Sequence, residues 1–320
     1  MSDDILVLVE HRAGTVLDPT FELLGRARAL AAETGGQAIA VVLGSGVDPL
    51  VATLGAADRV IAVDDPAFAE FSPSSYQAAL VPIVRDRSPR LVLVANTGPG
   101  MDVASGLSAA TGLALAAYAT GVALEGGAPV VTCQLYAGKI DARVRFADGR
   151  GIATVVAGSF PVESGMAAGS PPVERLGPPA TDGRIRFKAL LAPEAGDVDI
   201  TRETVLVSVG RGVGEQENLE LVEELATALG GAVSVSRPLA DAGWLPRSRQ
   251  VGKSGLKVKP RLYLALGISG APEHLEGMRG ADLIIAVNTD PRAPIFSVAH
   301  YGAVADLLDV AQALTRRLAG

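Results

Sequence analysis

Residues 204–217 read TVLVSVGRGVGEQE, and this stretch decides the fold. Thr204–Val209 is six residues of nearly pure β-formers. Gly210-Arg211-Gly212-Val213-Gly214 follows, and then Glu215 and Glu217 stand where a helix dipole favours acids. Glu217–Leu229 places Leu219, Val222, Leu225 and Leu229 on one helical face. A continuous apolar strand, a glycine turn and an amphipathic helix make the opening of an α/β unit with a parallel sheet. Further strands are expected at Ala232–Val235, Leu262–Leu266 and Leu283–Val287, and a last helix over Ala303–Leu318.

The same alternation fills the N-terminal half. Strands are expected at Ile5–Val9, Gln37–Leu43, Arg59–Val63 and Leu91–Ala95, with short strands through Thr154–Val156. Helices are expected at Phe21–Thr34, Leu50–Leu54, Tyr76–Arg87 and Asp102–Gly112. Ile185, Phe187 and Ala189 alternate as one more strand would. The fold class is therefore α/β, with two Rossmann-like doubly wound domains and mainly parallel sheets. The Pro193–Asp199 break divides them, giving an N-terminal domain over 1–194 and a second over 195–320.

Composition removes several classes of function. The 320 residues carry a net charge of −7, with no basic run to meet a phosphate backbone, so nucleic acid is not an expected partner. Aromatics are only 4%, which leaves few platforms for stacking bases. The single cysteine, Cys133, excludes an intramolecular disulfide or a multi-cysteine metal site, and its strand-like surroundings (PVVTCQL) mark it as a buried small hydrophobe. His11, His274 and His300 are far apart in sequence, so no metal site is expected. The N-terminus opens acidic and enters a strand at once, unlike a signal peptide. No apolar run is long enough to span a membrane, and a cytoplasmic location is the expectation.

In α/β sheets ligands collect at the carboxyl ends of strands. After the first strand of the second unit, G-x-G-x-G replaces the usual G-x-G-x-x-G; an ordinary strand-to-helix turn has similar glycines. The next strand ends in Ser236-Arg237. An NAD site would want an acid there, whereas an arginine suits either the 2′-phosphate of NADP or a flavin ring. Gln250-Val251-Gly252-Lys253-Ser254-Gly255 offers close backbone approach and the Ser254 hydroxyl. Gly267-Ile268-Ser269-Gly270-Ala271-Pro272-Glu273-His274 opens a short helix at Pro272, with free N–H groups suited to a pyrophosphate. Asn288, in Asn288-Thr289-Asp290-Pro291, brings a donor and an acceptor. A nucleotide-sensing α/β module without redox work is a further reading of the same pattern.

The ordered set GRG, SR, QVG-x-[ST]-G, GISGA-x-x-H, N-x-DP-x-APIF and YG-x-VADL closely resembles the α subunit of electron-transfer flavoprotein. The resemblance covers essentially the whole chain, including ILVLVEHR and DRVIAVDDP. It implies FAD as cofactor, a β subunit as heterodimeric partner, and an electron carrier rather than an enzyme with a substrate pocket of its own. Electrons would come from dehydrogenases such as acyl-CoA dehydrogenases and pass to a membrane quinone-reducing acceptor. Some relatives carry a second FAD in the β subunit and split electron pairs. The implied FAD contacts are Arg211, Ser236, Arg237, Val251, Gly252, Lys253, Ser254, Ser269, Gly270, Ala271, Pro272, Glu273, His274, Asn288, Asp306 and Leu307. Of these, Arg237, Ser254 and His274 would lie around the isoalloxazine, where a cation and a histidine donor stabilise the charge that grows on reduction. The chain departs from the family pattern at Lys253-Ser254 (usually Gln-Thr), Pro272 (Ile), Glu273 (Gln) and His300 (Asp).

Overall fold

The computed structural model describes residues 2–136, 138–180, 185, 187–189 and 198–319. The chain divides into two compact units, Met1–Ala189 and Leu190–Gly320. The expected break at Pro193–Asp199 lies mostly outside the described residues.

The first unit is built on a nine-stranded sheet, beside a small hairpin of His11–Arg12 and Thr15–Val16: β1 (Ile5–Leu8), β2 (Ala38–Gly44), β3 (Arg59–Asp64), β4 (Leu91–Ala95), β5 (Leu115–Glu125), β6 (Ala128–Leu135), β7 (Ile140–Arg145), β8 (Gly151–Val155) and β9 (Val173–Leu176). They lie in the order β9-β3-β2-β1-β4-β8-β5-β6-β7. All neighbours run parallel except β5-β6 and β6-β7. Every residue of β1, β2 and β4 is buried, as continuous apolar strands between two helical layers must be. Helix α1 (Asp18–Thr34) packs Leu24, Ala27 and Leu30 on one face; α2 (Pro73–Arg87) and α3 (Gly98–Thr111) supply Tyr76, Leu80, Ile83 and Leu107 to the other. Cys133 is buried in β6, and burial pushes its thiol pKa up. Residues 185 and 187–189 form no strand, contrary to the alternation in their sequence.

The second unit holds five parallel strands, β10 (Val205–Val209), β11 (Ala232–Val235), β12 (Leu262–Leu266), β13 (Leu283–Asn288) and β14 (Tyr301–Val304), in the order β11-β10-β12-β13-β14. Helices α4 (Leu219–Ala228) and α7 (Leu307–Ala319) cover one face, where Val222, Leu225 and Ala311 meet Val207 and Leu264. The other face carries α6 (Pro272–Met278), with Leu275 and Met278 against Leu206, Tyr263 and Ile284. A short helix, α5 (Arg237–Asp241), follows β11.

Two expectations are corrected here. The run expected as one helix over Ala303–Leu318 begins as a strand. Residues 301–304 pair with β13, Asn288 opposite Val304, and all four side chains are exposed, so burial periodicity gives no sign of a strand. The helix starts only at Leu307, where Asp306 Oδ1 accepts the Leu308 N–H at 2.7 Å as an N-cap. Likewise, the helix after the first glycine turn does not begin at Glu217. Two 3₁₀ turns, Arg211–Val213 and Gln216–Asn218, intervene before Leu219.

Candidate functional site

The order β11-β10-β12 reverses direction between β10 and β12, which is the crevice where open α/β sheets bind ligands. The loops after these two strands meet there. Gly212 N–H donates to the Gly267 carbonyl at 3.1 Å. A β-carbon on Gly210 would lie 2.5 Å from that same oxygen, so glycine is required by chain-to-chain approach. The G-x-G-x-G signal therefore marks two loops in backbone contact.

Around this junction lies a cleft of about 720 Å³, in the size range of small-molecule sites. Arg211, Ser236, Arg237, Val251, Gly252, Lys253, Ser254, Ser269, Ala271, Glu273, His274, Asn288, Asp306 and Leu307 all line it. Gly270 and Pro272 are not among its lining. Gly270 (φ +84°) instead presses its backbone against Ile295, and Pro272 opens α6. Gln250, Ile268, Thr289 and Ala305 line the cleft too. Gln250, Ile268 and Ala305 are fixed positions of the sequence motifs and Thr289 lies within the Asn288–Pro291 stretch, but none was among the expected contacts.

Hydrogen bonding shows what each side chain has left to offer. Among the described residues Arg211 has no ion-pair partner, and it lines the cleft as a cation. Arg237 also lines the cleft, but its Nε donates to Asp241 Oδ2 at 3.1 Å along α5, and its side chain is 68% exposed. The Ser236 hydroxyl makes no capping bond to that helix, and the residue is buried at its start. Ser254 Oγ accepts from Gln250 Nε2 at 3.0 Å, which leaves its own proton to give. Lys253 N–H donates to the Glu273 carbonyl at 2.7 Å, tying the Val251–Ser254 loop to the first turn of α6. Asn288 spends half its capacity on the scaffold: Nδ2 donates to Ile268 O and Oδ1 accepts from Asp290 N–H, both at 2.9 Å. Asp306 is likewise occupied as the cap of α7.

His274 is the most unusual group of the cleft. It is only 6% exposed, and burial lowers its pKa to about 4, partly opposed by the Val251 backbone, so the ring is neutral near pH 7. Nε2 lies 2.9 Å from the Tyr263 hydroxyl, while Nδ1 is buried with no hydrogen-bond partner. A buried polar atom left unsatisfied beside a cleft is what a ligand's complementary group would satisfy.

The chemistry of this lining suits a large, partly anionic, partly aromatic molecule: an arginine cation, serine hydroxyls and a buried imidazole nitrogen without a well-aligned partner. Comparisons with known proteins agree. Residues 199–279 match the electron transfer flavoprotein FAD-binding domain, and residues 5–181 match the electron transfer flavoprotein domain. The chain is 36% identical to an electron transfer flavoprotein subunit alpha of Methylophilus methylotrophus, over 98% of this chain and 99% of that one. It is 38% identical to the Syntrophomonas wolfei protein of the same name, over 98% of each. A third of that name, from Bacillus subtilis, shares 32% over 98% of this chain and 97% of its own. With the fold, the cleft and these relatives in agreement, the chain belongs to the electron transfer flavoprotein alpha-subunit family.

Proposed function

We propose that the cleft of the second unit holds FAD and that this chain, paired with a β subunit, works as an electron carrier. The observation that carries the reading is the convergence of the loops after β10, β11, β12 and β13, together with the start of α7, on one cleft.

In this reading Arg211, Ser236 and the Ser269–Ala271 backbone bind the phosphate-bearing part by charge and N–H donation. Asn288 uses its remaining donor and acceptor on the ribitol or adenosine, beside Asp306 and Leu307. Val251–Ser254 and His274 surround the ring system, with Glu273 holding the loop through its carbonyl. FAD, when bound, supplies reversible one- and two-electron redox chemistry. The protein supplies position and field. Arg237 brings positive charge, Ser254 a hydroxyl proton and His274 a ring nitrogen, all within a site partly shielded from water.

Donors are then dehydrogenases of the acyl-CoA type, and the acceptor is a quinone-reducing protein at a membrane. The chain itself has no helix among its described residues long and apolar enough to cross one. The NADP alternative is less well supported, because the second unit matches an FAD-binding domain.

The test is an anaerobic reductive titration of the chain co-purified with its β subunit. One FAD per complex, reduced by a dehydrogenase partner and reoxidised by an acceptor, is the expected result. Two FADs, one reduced directly by NADH, would make the complex an electron-splitting one instead. A colourless complex that takes up no FAD would overturn the proposal.

A further inference from the structure

Gln250 is only 4% exposed, and it lines the cleft in the same loop as Ser254. Burying a primary amide costs stability unless it is hydrogen-bonded, so its presence there calls for a reason. Closing the loop is not that reason, because the backbone does so by itself. Leu256 N–H donates to the Gln250 carbonyl at 2.8 Å, Gly252 N–H to the Leu256 carbonyl at 3.1 Å and Gly255 N–H to the Gly252 carbonyl at 3.0 Å. The loop is also anchored on both sides without the amide. Val251 N–H donates to the Val235 carbonyl of β11 at 3.0 Å. On the α6 side the backbones touch: a β-carbon on Gly277 would lie 2.4 Å from the Gly252 nitrogen.

The amide has another partner. Gln250 Nε2 donates to Ser254 Oγ at 3.0 Å. A serine hydroxyl has one proton to give and two lone pairs to accept with. With one lone pair facing an N–H, its own proton cannot lie along that line, since two protons would then face each other. Among the described residues Ser254 Oγ gives this proton to no acceptor. Ser254 lines the cleft, so the cleft is where the proton is left to point. Accepting a hydrogen bond also polarises the O–H and makes it a better donor.

We propose that Gln250 is a positioning residue: its amide turns the Ser254 hydroxyl so that the proton is presented to the cofactor. This rests on the FAD reading. A flavin ring gains negative charge on reduction, and a donor already aimed at that charge stabilises the reduced form more than one that must first be oriented. Ser254 makes the contact, and Gln250 acts through it.

The experiment is the flavin midpoint potential of the chain co-purified with its β subunit, measured for the wild type, Gln250→Leu, Ser254→Ala and the two together. Gln250→Leu keeps a side chain of similar size and every backbone bond of the loop, and removes only the donor. It is expected to weaken binding of reduced relative to oxidised FAD by about two- to tenfold, as coupling within one hydrogen-bond network does. Ser254→Ala should weaken it at least as much, and adding Gln250→Leu to Ser254→Ala should change nothing further. An unmoved or raised midpoint in Gln250→Leu would overturn the proposal. So would a shift that persists in full in the Ser254→Ala background, because Gln250 would then act on the cofactor itself.

Gln250→Glu gives a second reading should Gln250→Leu fail to fold. An ionised carboxylate only accepts, so it draws the Ser254 proton away from the cleft. Its drop in midpoint should be larger with Ser254 present than in the Ser254→Ala background, and equal drops would overturn the proposal. Failure of the FAD reading shows separately, as a wild-type complex that takes up no flavin, and it would remove this proposal with it.

Discussion

A β-carbon on Gly212 would stand 2.7 Å from the Cα of Gly267, inside any real carbon–carbon contact. Both positions are backbone, so neither side yields by rotating a side chain. Gly212→Ala is expected to push the two loops apart and cost about 1–3 kcal/mol, the usual range for overpacking. Because the same junction forms the floor of the cleft, flavin content of the purified complex should fall too. Urea unfolding and flavin absorbance on one preparation measure both; full flavin content with normal stability would count against this packing.

His274 makes stability depend on pH. Its folded pKa of about 4 lies below its ordinary 6.5, so the unfolded chain binds the extra proton first. Stability from this group is therefore intact above about pH 6.5, declines as pH falls toward 4, and levels off below. At about 1.4 kcal/mol per pH unit the loss sums to roughly 3 kcal/mol. The His274→Gln chain should lack this component. The check is the difference between the two proteins' unfolding free energies from pH 7 to pH 4, in which the shared carboxylates cancel.

Arg237 and Asp241 form an exposed pair one helical turn apart, at 3.1 Å. Such pairs contribute under about 0.5 kcal/mol, so Arg237→Ala should scarcely change the unfolding midpoint. FAD should stay bound while its potential drops, as a cation is removed from the ring's surroundings. Asp241→Asn should move the potential the other way by releasing the guanidinium. Potentiometric titration of both variants decides: if neither moves, Arg237 lies away from the ring.

Asp306 has two separable tasks. As the N-cap of α7 it contributes about 1 kcal/mol, which Asp306→Ala should lose and Asp306→Ser should largely keep. If the carboxylate also touches the cofactor, Asp306→Ser should bind FAD more weakly at unchanged stability. FAD titration of the deflavinated complex, set beside thermal unfolding, distinguishes the two.

How far the sequence carried depends on which signal each residue left. Strands such as Leu91–Ala95 and Val205–Val209 were legible because full burial demands unbroken apolar runs. Most cleft residues were legible because they follow such strands in recognisable motifs. Tyr301–Val304 was not, because an exposed edge strand has no burial period and its partner is distant in sequence. Nor were Tyr263, Ser208 and Ser234. Each reads as one more strand residue, and only the register of three strands and the seat of α6 gather them around His274. Asn288 and Asp306 were picked out as binders, while their helix-capping and loop-bracing bonds appear only in three dimensions.

The cleft closes with residues from the fifth strand's exit and the first turn of the last helix, Ala305 to Leu307. These residues follow every other part of the lining in the chain. Until they have been synthesised the domain has only an unfinished cradle, so cofactor capture waits on the last strand and helix of this unit. A flavin held in this cleft would pin the start of α7 to the loops after β10, β11 and β12. Loss of the cofactor should thus be felt first as fraying of the C-terminal helix, well away from any electron it was meant to carry.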